Sequence, residues 1–340
     1  MIEEAFVVNK TLRLLILAVV LTTMIMVPAM GAAKFKIGLS MATLAEERWK
    51  ADRDLFKAEV EKLGGEVIVA AANGDENLQN SQAENLITQG VNALVVVAQN
   101  GEIASAIVVS AHKSNIPVIA YDRMIKNCDL DLYVSFDSVK VGELMASYVC
   151  KLKTGGNYFI INGSPTDNNA HLVREGFGNV LKKYPRIKVV FEQWCDSWSP
   201  EKALKHVENG LTQFKNNVKV VLCANDGTAS GAVQALAEQK LAGKVLVTGQ
   251  DAELAACKRV VAGTQAVTIY KPIKQIALAA AKAAMELAGK QKASDVNTTV
   301  DNGKIKVPSI MLVPIQVDKK NMKSVVVADG YHTEAEIYGK

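Results

Sequence analysis

The feature that most constrains the fold is a series of short β-forming runs, apolar at nearly every position, each followed by a stretch with helical periodicity. After residue 33 the order is KFKIGLS, the amphipathic ERWKADRDLFKAEVEKLGG, EVIVAAA, the helical SQAENLITQG, ALVVVAQ, the helical EIASAIVVSAHKSN and PVIAYD. A strand with one wet face alternates apolar and polar residues. A run that is apolar throughout has both faces covered, as a strand does inside a parallel sheet flanked by helices. Strand and helix in steady alternation with short connections build a doubly wound α/β layer.

The series pauses at LYVSFD and restarts. VGELMASYVCKLK, NYFIING, HLVREGFGNVLKKY, KVVFEQW, SPEKALKHVENGLTQF, VKVVLCAN, TASGAVQALAEQK, KVLVTGQD and ELAACKRVVAG repeat the pattern. AVTIYKP, the Ala-rich IKQIALAAAKAAMELAGK and a final strand in SIMLVPIQV follow. At 340 residues the chain exceeds the usual size of one domain, and two such lobes account for it. No Pro/Gly/Ser-rich linker separates them, so the chain is expected to pass between lobes through strand-like crossings near Phe136–Asp137, Tyr270–Lys271 and Val307–Ser309. The expected architecture is two doubly wound parallel-sheet lobes on a three-strand hinge. Residues 34–137 plus 272–306 form the first, and 138–270 plus 307–332 the second.

Hydrophobic content of 49% with 22% charged residues is globular, and the formal charge of +4 is thinly spread. Its densest cluster, Lys182, Lys183, Arg186 and Lys188, surrounds a helix end, where cations complement the dipole; it is not read as a nucleic-acid surface. At the N-terminus, Lys10 and Arg13 precede an uncharged stretch from Leu14 to Met30 and then AMGAAK. Positive, hydrophobic and small-residue regions in that order describe an export signal over residues 1–33, cut after Gly31 or Ala33. No cysteine follows it to take a lipid anchor. The expected location is therefore a periplasm, with the mature protein free in solution. The five cysteines, Cys128, Cys150, Cys195, Cys223 and Cys257, are widely spaced and contain no C-x-x-C. Neither a disulfide scaffold nor a zinc site is expected, and Cys150, Cys223 and Cys257 read as small hydrophobes.

Ligands of open α/β sheets bind beyond the carboxyl ends of the strands. Those ends supply Asp122 and Arg123, Asp167 and Asn169, Trp194, Asp196 and Trp198, Asn225 and Asp226, Asp251, and Lys271. The first strand leads to Arg48 and Trp49. Asp and Asn at such junctions are commonly helix caps, and Asp226 before GTASGA is read as one. Capping does not explain Arg48, Trp49, Arg123, Trp198 and Lys271 in equivalent places. Acids, amides, Arg and Lys beside indoles suit a neutral polyhydroxylated ligand. Each hydroxyl donates once and accepts twice, and indoles cover the apolar faces of a sugar ring. His112, His171, His206 and His332 are scattered, without metal or triad spacing. Neither a nucleophile elbow nor a phosphate loop occurs, so an enzyme is not expected; a glycosidase built on Asp167 and Asp251 is the reading to test against.

With those residues in place, the chain from about Lys34 to His332 resembles the periplasmic sugar-binding proteins of ABC transporters, most densely their xylose-binding branch. The resemblance is carried by ERWKADRD, NGDENLQNSQAENLI, AYDRMI, SFDSVKVGEL, SPTDNNA, QWCDSW, GQDAELA and YKPI. It implies sugar contacts at Arg48, Asp122, Arg123, Asp167, Asn169, Asn225, Asp251 and Lys271, with stacking indoles at Trp49 and Trp198. It also implies a monosaccharide ligand, D-xylose ahead of glucose, another aldopentose or a furanosyl signalling molecule. A membrane permease is the implied partner; a chemoreceptor is a further candidate that these residues do not indicate. No calcium loop of the D-x-[DN]-x-[DN]-G type occurs, so no structural metal is expected, and no cofactor. The expected state is a monomer, since closure needs both lobes free.

Overall fold

The computed structural model describes residues 35–339, so the export segment read over residues 1–33 lies outside the described residues. Two sheets organise the chain. The first contains β1 (Lys36–Met41), β2 (Glu66–Ala71), β3 (Ala93–Val97), β4 (Val118–Tyr121), β5 (Leu132–Phe136), β11 (Thr298–Asp301) and β12 (Lys306–Leu312), in the order β11-β12-β5-β4-β3-β1-β2. The second contains β6 (Gly156–Asn162), β7 (Ile187–Trp194), β8 (Val220–Cys223), β9 (Leu246–Gln250), β10 (Val267–Tyr270) and β13 (Ile315–Val317), in the order β13-β10-β9-β8-β6-β7. Both are parallel except at one edge, where β11 pairs antiparallel with β12 and β13 with β10.

The helices are α1 (Glu47–Lys62), α2 (Glu76–Thr88), α3 (Ser105–Lys113), α4 (Ser138–Leu152), α5 (Asn168–Leu181), α6 (Pro200–Gln213), α7 (Asp226–Glu238), α8 (Leu254–Ala262), α9 (Ile273–Ala288) and α10 (Glu334–Tyr338). Many start where a short polar side chain takes the free N–H groups of the first turn. Asp75, Asp137, Asp167, Ser199, Asn225 and Thr333 all accept such bonds.

Alternate residues of each strand enter different cores, which explains the uninterrupted apolar runs. Val95 and Val97 join Ile37, Leu39, Phe56 and Ala277 on one face of the first sheet, while Leu94 and Val96 join Ala83, Leu86 and Ile107 on the other. In the second sheet Val220 and Leu222 face Met145 and Phe177, and Val221 and Cys223 face Ala203 and Leu236. Each fully buried Val or Leu contributes about 1.5–3 kcal/mol. All five cysteines are buried and unpaired.

The chain leaves the first sheet after Phe136 and returns after Tyr270, where α9 packs on the first sheet through Ile276, Ala277, Ala280 and Ala284. The third crossing differs from the expected one near 307. Residues 306–312 stay in the first sheet, Ser309 opposite Tyr133 through Leu312 opposite Phe136, and the chain crosses at Val313 and Pro314. SIMLVPIQV therefore makes two strands in different sheets. Pro314 has no N–H to continue a ladder, so the β-forming residues on its two sides pair separately.

Candidate functional site

The carboxyl ends of the parallel strands in both sheets point into one cleft. From the first lobe, the turn after β1 leads into α1 and sets Arg48 and Trp49 in its first turn, and β4 ends in Asp122 and Arg123. From the second, β6 leads to Asp167, the cap of α5, and to Asn169; β7 leads to Trp198; β8 leads to Asn225, the cap of α7; and β9 ends before Asp251. Lys271 follows β10 at the crossing. All ten expected residues, together with Glu46 and Gln250, line one chamber.

Arg48 is at its centre. Its Nε donates to Asp52 Oδ2 at 3.0 Å and its Nη1 to Asp251 Oδ1 at 3.2 Å, while Nη2 lies 3.0 Å from Asp122 Oδ2. Lys271 Nζ adds contacts to Asp251 at 3.0 Å and Asp122 at 3.5 Å. Arg123 Nε lies 2.9 Å from Asp167 Oδ2, which also accepts from Trp198 Nε1 at 3.2 Å. Asn169 Nδ2 donates across the cleft to the Asp122 carbonyl at 2.9 Å. The Trp49 ring carries the Arg48 guanidinium at 4.3 Å and that of Arg123 at 5.1 Å. The Arg48–Asp251 and Asn169–Asp122 contacts join residues of the two lobes.

The charges nearly cancel: Glu46, Asp122, Asp167 and Asp251 stand against Arg48, Arg123 and Lys271. Burial works against ionisation of Asp122, yet Arg48, Lys271 and Arg123 hold its carboxyl at about 2. Burial pushes Asp167 above its ordinary range in spite of Arg123. Burial also disfavours the Arg48 cation, but Asp122, Asp52 and Asp251 outweigh it and raise its pKa.

Some polar atoms of the chamber residues lack hydrogen-bond partners. Glu46 Oε2, Arg48 Nη2, Trp49 Nε1 and Asp122 Oδ2 are four of the seven buried side-chain atoms of this kind among the described residues. The 3.0 Å approach of Arg48 Nη2 to Asp122 Oδ2 is thus a charge contact without hydrogen-bond alignment. Leaving such a group unsatisfied costs about 1–3 kcal/mol, so their concentration at one chamber marks where a ligand's polar groups belong. Backbone strain gathers there too. Asp122, Ser197, Trp198, Asp251 and Ala252 all have positive φ, from 51° to 95°.

Three strand-end residues stand apart from the chamber. Trp194 packs against His171 with the rings tilted, centroids 4.7 Å apart, and Asp196 pairs with Lys202 at the surface. Asp226 is also not the cap it was expected to be. Asn225 caps α7, its Oδ1 accepting from Thr228 N at 2.8 Å, which leaves the Asn225 amide group free to donate into the chamber. The Asp226 carboxylate is buried and accepts from Gln265, Thr268 and the Glu253 N–H. Glu46 and Gln250 went unnoticed in the sequence. Gln250 is the last strand residue, and Glu46 stands one step before a helix, with no signal to separate it from its neighbour Glu47.

Two doubly wound lobes closed over a polar, nearly neutral chamber define a solute receptor of the two-lobed kind. The chain belongs to the periplasmic binding protein family, whose domain model matches residues 37–292. It is 50% identical over 306 residues to a D-xylose-binding periplasmic protein of Haemophilus influenzae, covering 89% of this chain and 92% of that one. It is 49% identical to the D-xylose-binding periplasmic protein of Escherichia coli, covering 91% and 94%. Among solved structures, an ABC transporter solute-binding protein from Clostridium phytofermentans with bound β-D-glucose superposes with a TM-score of 0.82 at 30% identity, covering 89% of this chain and 99% of that one. These relatives are binding proteins, and this chain is a binding protein, not an enzyme.

Proposed function

We propose that this protein captures D-xylose between its lobes in the periplasm and presents it to the permease of an ABC importer. The observation that carries the proposal is the chamber itself: close to charge-neutral, walled by two indoles, and holding unsatisfied donors and acceptors. A neutral ligand adds no net charge to it, and each sugar hydroxyl can meet one acceptor and two donors. Asp122, Asp167 and Asp251 accept hydroxyl protons; Arg48, Arg123, Lys271, Asn169 and Asn225 donate to hydroxyl oxygens; Trp49 and Trp198 cover the ring faces. Charge-assisted bonds of this kind are roughly twice as strong as neutral ones, which offsets stripping water from the sugar. The names of the two relatives near half identity support D-xylose over other sugars.

The three crossings, at residues 136–137, 270–271 and 313–314, form the hinge of this proposal, with the protein acting as a monomer. Sugar touching both lobes binds the closed form better and shifts the population toward it. Residues 1–33 act as the export signal, and no lipid is attached. Calorimetry with D-xylose, L-arabinose, D-ribose and D-glucose tests the reading. D-Xylose is expected to bind most tightly. A tighter hexose reassigns the ligand, and heat from none of the four overturns the proposal.

A further inference from the structure

Helix α1 begins unlike those capped by Asp, Ser, Asn or Thr. Its N-cap is Glu46, and the Glu46 side chain makes no cap hydrogen bond. A glutamate is too long to serve the first turn well, so the position gives up the capping contribution that a short polar residue would make. The carboxylate is turned into the cleft instead. Its Oε1 lies 3.5 Å from Arg123 Nη2, and its Oε2 is buried with no hydrogen-bond partner. Glu46, Arg123 and Trp198 also line a second pocket, which has Thr43, Asn73, Gln99 and Ser197 in its wall. Glu46 therefore stands where the ligand chamber opens into a polar side chamber.

Resting on the sugar-binding reading above, we infer that Glu46 is a specificity-determining residue: its Oε2 accepts from one sugar hydroxyl, on the edge of the ring that faces the side chamber. Arg123 holds the carboxylate in place through Oε1, and the unpartnered oxygen requires a donor. An analogue lacking that hydroxyl leaves a buried carboxylate oxygen unpaired and is rejected. Analogues altered elsewhere lose different contacts. Space beyond the oxygen means that discrimination at this edge rests on hydrogen bonding more than on shape.

The test is calorimetry of the full chain and of its Glu46→Gln variant with D-xylose and each of its single-deoxy analogues. Glutamine keeps an oxygen for Arg123 but loses the charge. The expected result has two parts. Glu46→Gln weakens D-xylose roughly 10- to 100-fold, the range for a hydrogen bond to a charged group. It also removes the penalty for one deoxy analogue while leaving the others penalised as in the parent chain. A merely structural role would lower affinity for all analogues alike. Glu46→Asp, which keeps the charge but withdraws the oxygens by one methylene, is expected to behave like Glu46→Gln and serves if that variant folds poorly. An unchanged set of penalties in the variants overturns this inference alone. Failure of the parent chain to bind D-xylose overturns the function proposed above and this inference with it.

Discussion

At the residue scale, a buried arginine is tolerable only if its charge is met, and Arg48 is met by Asp52, Asp122 and Asp251 together. Asp251 joins Arg48 of the first lobe to Lys271 at the crossing. Trp198 sits against Gly163, where an added Cβ would fall 2.2 Å from the indole, so glycine makes room for the ring. Asp251→Ala and Trp198→Ala are each expected to weaken D-xylose binding about tenfold or more while the circular dichroism spectrum stays native. Unchanged calorimetric affinity in both would remove these residues from the site. The site was legible in the sequence because Arg48, Trp49, Arg123, Trp198 and Lys271, which capping cannot explain, stood at strand ends beside acids such as Asp251 that capping could. Trp194 and Asp196 shared the position and not the role, since direction out of the turn is set by backbone geometry that residue type does not encode.

At the scale of elements, the apolar runs named their own strands, since covered faces leave no place for polar alternation. What the sequence hid was partner choice. VPIQV and SIML are equally β-forming, and only pairing in three dimensions assigns them to separate sheets. Helix packing was hidden likewise. Gly142 of α4 and Gly176 of α5 meet where the two helices cross: a Cβ on Gly142 would lie 2.1 Å from the Val173 carbonyl oxygen, and one on Gly176 would lie 2.2 Å from that of Val139. In sequence both look like ordinary helix positions weakened by glycine. Gly142→Ala gains helix propensity and yet is expected to destabilise the protein by about 1–3 kcal/mol, because backbone must move to admit the methyl. Urea unfolding measures it. A variant as stable as its parent would mean that the helices separate there at no expense.

At the scale of the whole molecule, acids of both lobes meet. Glu253 of the second lobe is half-buried beside Asp226 and Asp251 of its own lobe and Glu47 and Glu46 of the other. Burial first, then these four carboxylates in that order, push its pKa to about 8, and burial pushes that of Asp226 to about 7. Glu47 is partly engaged, accepting from Leu254 N at 3.0 Å and lying 3.6 Å from His332 Nε2. An unfolded glutamate titrates near ~4.3, so between that pH and about 8 the native protein holds a proton that the unfolded chain has lost. The contribution of Glu253 to stability is therefore complete below the unfolded value and disappears as pH rises through the folded one. Solvent reaching the half-buried side chain reduces its size without changing its sign. Glu253→Gln carries no proton to lose, and the Glu253 carboxylate makes no cap hydrogen bond to its helix that the amide would break. Thermal melting of parent and variant is expected to agree near pH 4. As pH rises toward 9 the parent should fall away while Glu253→Gln holds a higher melting temperature, with Asp226 leaving a residual slope in both. Parallel curves over that range would mean that Glu253 is already ionised at neutral pH, and that the closed lobes accommodate its charge.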